Sequence, residues 1–175
     1  MQTPRRNVEL KARNPNPERT LQAAVAAGAR DAGWLTQTDT YFDVPHGRLK
    51  LREEAGRAHL IAYERPDDPI ARESHYRLVP TDDPTGLSDA LTAALGVLVV
   101  VKKTRHLLLW KNVRIHLDTV DGIGEFIELE AVADSTSDLT REHQLAADLQ
   151  AKLGIAAELI VAFSYSDELL RTGGP

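Results

Sequence analysis

The chain has 175 residues, 42% hydrophobic and 27% charged, which is enough for one well-buried domain and too apolar for extended disorder. A formal net charge of −5, from 26 acidic and 21 basic residues, gives no overall basic surface for nucleic acid or anionic lipid, so any anion site must be a local concentration of cations. Cysteine is absent, which excludes disulfides, thiolate metal sites and cysteine nucleophiles.

"RNVELKAR", Arg6 to Arg13, alternates like a strand, with Val8, Leu10 and Ala12 on one face and Asn7, Glu9, Lys11 and Arg13 on the other. Asn16 as N-cap and Pro17 at the first helical position open a helix expected to reach Arg30 and stop near Gly33. "WLTQTDTYFDV" is rich in β-branched and aromatic residues, and "PHG" turns it into "RLKLREE". "HLIAYER" and "SHYRLV" read as strands stopped by Pro66 and Pro80, and "PTGLSDALTAALG" as a short helix. "VLVVVKKTRHLLLW", "NVRIHLDTV" and "GEFIELEAV" are three further strands, the last two joined through "DGIG". A helix from about Asp138 to Leu153 follows, "AAELIVAFSYSDELL" is expected to be helical, and a loose tail is expected from about residue 171. The whole is expected to be one α+β domain over residues 1–175, with about eight antiparallel strands. "MQTPRRNVEL" has no apolar signal core and no apolar run approaches membrane-spanning length, so a cytoplasmic protein with no membrane or nucleic-acid partner is the expectation.

The same alternation recurs along the chain. Lys50 and Arg52 share a face opposite Leu49 and Leu51; Lys103 and Arg105 share another. Arg114 and Asp118 lie opposite Val113, Ile115 and Leu117, and Glu128 and Glu130 opposite Ile127 and Leu129. Arg65 and Arg77 sit on two further strands. A solvated face laced with cross-strand salt bridges gives this pattern. So does a sheet closed into a barrel, with charges inward and apolar faces packed on helices outside. Segregation by sign, with cations on the middle strands and acids on the first and last, suits a lumen holding a polyanion and a hard cation. The pattern by itself leaves both readings open.

At "NVELKAR", "DTYFDVPHGRLKLRE", "VKKTR" and "GEFIELE" the chain resembles the CYTH superfamily, the triphosphate tunnel metalloenzymes, from Asn7 to about Leu170. The resemblance implies an eight-stranded antiparallel β-tunnel with helices outside, in which basic residues hold a triphosphate and acidic residues hold Mg2+ or Mn2+. It implies a substrate-binding set of Lys11, Lys50, Arg52, Arg65, Lys103 and Arg105, to which the strand pattern adds Arg77 and Arg114, with Lys11 and Arg65 expected in catalytic roles. Glu9, Asp118, Glu128 and Glu130 would be the metal side. The opening motif, glutamate-x-glutamate-x-lysine, falls on Asn7, Glu9 and Lys11, so a neutral amide stands where the family usually has a carboxylate.

Within the superfamily the motif wording is closest to the class IV adenylyl cyclases, which turn ATP into cyclic AMP and pyrophosphate. Hydrolysis of inorganic tripolyphosphate or thiamine triphosphate is the alternative reaction, and a non-catalytic binder of polyphosphate or nucleotide is the alternative from another class. Neither pattern nor resemblance fixes the oligomeric state, and a homodimer is compatible with both. His116 could point into the lumen beside Arg114 and Asp118, Tyr41 and Tyr63 are ordinarily structural strand residues, and Tyr165 is expected to pack. No histidine pair has zincin spacing, and no phosphate-cradling glycine loop is present.

Overall fold

Residues 5–64 and 71–173 are described by the computed structural model. Their strands are β1 (Arg5–Arg13), β2 (Arg30–Phe42), β3 (Arg48–Glu54), β4 (Arg57–Glu64), β5 (Arg72–Thr81), β6 (Val97–Trp110), β7 (Val113–Val120) and β8 (Gly124–Val132). The helices are α1 (Pro17–Ala26), α2 (Pro84–Leu95), α3 (Thr140–Leu153) and α4 (Tyr165–Thr172). The strands close into a barrel in the order β1-β5-β4-β3-β2-β6-β7-β8, and every neighbouring pair is antiparallel. Closure leaves no sheet edge to pair with another chain. Among the described residues no helix is long and apolar enough to cross a membrane.

Alternation decides which way each face points. Val8, Leu10 and Ala12 of β1, Val113, Ile115 and Leu117 of β7, and Ile127, Leu129 and Ala131 of β8 form one core with Leu145, Ala146, Leu149 and Leu153 of α3 and Ala24 of α1. A second packing places Leu87, Leu91 and Leu95 of α2 over Phe42, Leu51 and Ala58. The apolar faces therefore look outward to helices and the charged faces look inward. Ile115 is completely buried between the barrel wall and those helices, so Ile115→Ala should cost about 2–5 kcal/mol of stability in chemical denaturation.

The fourth helix plugs one end of the barrel. Tyr165 and Leu169 pack with Tyr41, Val101, Val120 and Phe126, which come from the same end of β2, β6, β7 and β8. Two ion pairs pin this plug to the rim: Arg48 to Asp167 at 3.0 Å and Arg13 to Glu168 at 2.6 Å.

Two local expectations are corrected. Helix α1 ends at Ala26 rather than Arg30, because Gly28 turns with φ +91, and β2 then starts at Arg30, ahead of Trp34. The expected long C-terminal helix is instead a 3-10 turn at Ala157–Leu159, an extended segment and then α4. Val161 donates its backbone N–H to the Lys11 carbonyl and Ile160 bridges Ala12, so β1 draws this β-branched stretch into sheet-like pairing. Ser164 then starts α4 with a capping box, its hydroxyl accepting from the Asp167 N–H and its own N–H donating to the Asp167 carboxylate. Helix α4 continues to Thr172.

Candidate functional site

The inward faces of β1–β8 enclose a cavity of about 550 Å³ whose lining includes seven basic and five acidic side chains, in a chain whose net charge is −5. The two signs occupy different walls. Lys50 and Arg52 on β3 and Lys103 and Arg105 on β6 flank β2, whereas Glu128 and Glu130 on β8 adjoin Glu9 on β1. Since β3 and β8, like β2 and β1, lie four places apart in the ring of eight, the basic and acidic walls face each other across the lumen.

Asp39 on β2 is at the centre of the basic wall. Arg52 donates to its two oxygens through Nε and Nη2 at 2.6 and 2.7 Å, while Lys50 and Lys103 both donate to Oδ2 at 2.9 Å. Burial alone would raise the Asp39 carboxyl, but Arg52, Lys103 and Lys50 hold it well below the usual carboxylate range. Lys103 is pulled down to about 7 by burial, with Asp39 opposing that shift and Arg52, Arg105 and Lys50 reinforcing it. Asp39 is not among the residues expected at the site from the sequence. Its signal was the same alternation, since Gln37, Asp39 and Tyr41 all line the cavity and Asp39 stands opposite Arg52 in the β2–β3 register.

The lysine has a consequence for stability. Between about 7 and its ordinary value of 10.5, the unfolded chain binds a proton at Lys103 that the folded chain lacks. Stability of the ligand-free protein should therefore rise with pH across that window. Melting curves of wild type and Lys103→Met between pH 7 and 10 test this, and the variant should show a flatter slope.

On the acidic wall, Glu128 contacts Lys11 at 3.4 Å, Arg105 at 3.2 Å and His116 Nδ1 at 3.3 Å. Burial opposes ionisation of Glu128, yet Lys11, His116 and Arg105 keep its carboxyl well below the usual range. Glu130 accepts from Asn7 Nδ2 at 2.5 Å and from Arg114 Nη1 at 3.3 Å, and it stands directly opposite Glu9 in the β1–β8 register. Glu9 in turn meets Arg72 at 3.3 Å. Lys11 lies over the Tyr165 ring at 3.8 Å, at the plugged end.

Asp118 does not reach the cavity surface. It is fully buried, both its oxygens accept from Arg105, and Oδ2 also accepts from the Tyr165 hydroxyl at 2.9 Å. Burial and the Asp118 charge together push the Tyr165 phenol well above its ordinary value, so Tyr165 stays protonated and is a hydrogen-bond donor as well as a packing residue. Arg77 is exposed and has the opposite parity to the cavity-lining Ser74, Tyr76 and Leu78 of β5, so the structure places it on the outer face. Arg114 lies at the mouth, half-exposed. Arg65 falls outside the described residues. His116 lines the cavity between Glu128 and Glu130.

The donor set suits a hard cation. Glu9, Glu128, Glu130 and the Asn7 amide offer only oxygen, and among the described residues the buried Asn7 Oδ1 has no hydrogen-bond partner. As they stand, no three Asp, Glu or His side chains among the described residues converge tightly enough to hold a metal ion; Glu128 is paired with Lys11, Glu9 with Arg72 and Glu130 with Arg114.

Comparison with known families resolves what this barrel is. The CYTH domain model matches residues 5–165. The chain belongs to the CYTH domain family. No curated protein matches it. Among solved structures, the CYTH chain is 25% identical to the PH1012 protein from Pyrococcus horikoshii, with a TM-score of 0.83 over 92% of this chain and 98% of that one. It shares the fold of a candidate adenylate cyclase from Vibrio parahaemolyticus, at 23% identity and TM-score 0.78 over 97% and 99% of the two chains. It also shares the fold of a candidate adenylyl cyclase from Hippeastrum with a dominant triphosphatase activity, at 17% identity and TM-score 0.64 over 97% of each. The eight-stranded antiparallel barrel of this CYTH chain is thus the fold that the resemblance of its motifs implied.

Proposed function

We propose that this CYTH protein is a divalent-metal-dependent enzyme that takes a nucleoside triphosphate into its tunnel and, like the class IV adenylyl cyclases, converts ATP to cyclic AMP and pyrophosphate. The observation that carries the triphosphate is the basic wall: Lys50, Arg52, Lys103 and Arg105 from two strands flank one cavity, with Lys11 at its floor. A chain of phosphates presents oxygens on several sides, and guanidinium forks and ammonium groups on different strands can meet them at once. The nucleoside is supported by the rest of the lining, where Leu107 and Leu109 of β6 lie four places around the ring from Tyr76 and Leu78 of β5. Inorganic tripolyphosphate has no use for these apolar walls.

Glu9, Glu128 and Glu130, helped by the Asn7 amide oxygen, would hold Mg2+ or Mn2+. When bound, such an ion supplies charge neutralisation on the phosphate oxygens and activation of the attacking oxygen. The chain's own residues do the remaining work. Arg52 and Arg105 are locked by buried carboxylates, so their positions cost little further ordering when substrate arrives. Lys11, beside Glu128, carries positive charge to the floor, where the pyrophosphate end would rest. Cyclisation joins the ribose 3′ oxygen, which gives up its proton, to the α-phosphorus, breaks the bond from that phosphorus to the bridging oxygen, and releases pyrophosphate, which leaves with the electron pair and takes up a proton. Water at the terminal phosphorus would give hydrolysis instead.

The test is incubation of pure protein with ATP, tripolyphosphate and thiamine triphosphate, each with Mg2+ or Mn2+, and identification of the products. Cyclic AMP and pyrophosphate, abolished by chelator, are expected. ADP or orthophosphate as the main product would reassign the enzyme to triphosphate hydrolysis. Binding without turnover of any of the three would make it a non-catalytic module.

A further inference from the structure

We propose that Asp39 is a positioning residue of the substrate site: one buried carboxylate that holds Lys50, Arg52 and Lys103 from behind and leaves their remaining donors directed at the lumen. This role rests on the triphosphate reading of the tunnel. Asp39 is 1% exposed and spends both oxygens on the three cations, at 2.6 to 2.9 Å. Arginine has five N–H groups and lysine three. Arg52 uses two of its five on Asp39, while Lys50 gives one to Asp39 and one to the Tyr41 hydroxyl at 3.3 Å. Lys103 gives one to Asp39. Each cation thus keeps donors for a ligand while its head group is fixed.

The arrangement repeats on β7, where buried Asp118 grips Arg105 through Nε and Nη2 at 2.7 and 2.6 Å. Both guanidiniums that line the basic wall are therefore held edge-on by an acid behind them. Without Asp39, three like charges would share a low-dielectric wall with no counterion, and they would separate or shed a proton. Lys103 is the group most open to this, since burial already brings it to about 7 and Asp39 is what opposes the shift.

Simple electrostatics gives the opposite expectation, because deleting an anion from an anion site should tighten binding. Calorimetric titration of tripolyphosphate with Mg2+ into wild type, Asp39→Asn and Asp39→Glu separates the two. A positioning role predicts a loss of affinity of roughly ten-fold or more in Asp39→Asn, the scale of one lost charge-assisted contact, although the site has become more positive. Asp39→Glu keeps the charge but adds a methylene in a packed wall, and it should also lose affinity; it decides the matter if Asp39→Asn does not fold. Unchanged or tighter binding by the folded variants overturns the role while leaving the triphosphate reading intact. Failure of wild type to bind tripolyphosphate overturns both.

Discussion

Arg105→Ala should destabilise the ligand-free protein by about 3–5 kcal/mol at neutral pH, because it strands a buried carboxylate. Asp118 is fully buried and both its oxygens accept from the Arg105 guanidinium, with the Tyr165 hydroxyl as a further hydrogen-bond donor to Oδ2. Glu128 loses a contact at 3.2 Å in the same step. In wild type, burial opposes ionisation of Asp118 but Arg105 keeps its carboxyl below the ordinary 3.8, so the carboxylate contributes stability above that value and loses it as pH falls. Without Arg105, burial dominates and the carboxyl moves up instead. The difference between wild type and variant should therefore be largest near pH 7 and shrink as pH approaches 4. Urea denaturation at several pH values reads this directly, and Arg105→Ala/Asp118→Ala should recover part of the loss. A variant as stable as wild type at pH 7 would mean that this pair carries no weight.

The second large effect concerns the departure at the start of β1. Asn7 is buried, donates Nδ2 to Glu130 at 2.5 Å and stands one alternation from Glu9, which faces Glu130 across the β1–β8 ladder. Asn7→Glu replaces that donor with a third carboxylate. In the absence of metal this removes a hydrogen bond and adds like-charge repulsion, a cost of about 1–3 kcal/mol. With Mg2+ the balance reverses, since ligand charge governs affinity for hard cations. The variant should melt lower than wild type in chelator and gain more stability per increment of Mg2+. It should also need less Mg2+ for half-maximal turnover. Melting temperatures that respond identically to Mg2+ in the two proteins would remove Asn7 from the metal side.

Much of this was legible from spacing. Val8, Leu10 and Ala12 against Glu9 and Lys11, or Ile127 and Leu129 against Glu128 and Glu130, fix two-faced strands without any knowledge of the fold, because successive strand side chains point to opposite faces. The motifs on those strands also pointed to the CYTH family, and the order of strands and helices followed from proline, glycine and capping residues.

Ring closure was not legible in the spacing, which fits a solvated sheet face equally well; it came only with the family resemblance, and it decides the rest. Only the pairing of β8 with β1 makes the charged faces a lumen rather than a solvated surface, and it sets basic β3 opposite acidic β8. Parity fixes a side chain's face only when register is known, which is why Arg77 fell on the outer wall while Tyr76 and Leu78 line the cavity. Depth along the tunnel is likewise tertiary: Asp118 shares the inward face of β7 with His116, yet it lies beneath α4 and meets Arg105 and Tyr165 instead of solvent. The partner of each lumen cation was the least accessible feature. Asp39 is 11 residues from Lys50 and 64 from Lys103, and nothing local joins them. They meet because β2 lies between β3 and β6 in the ring, where a low-dielectric wall requires every buried charge to find its opposite.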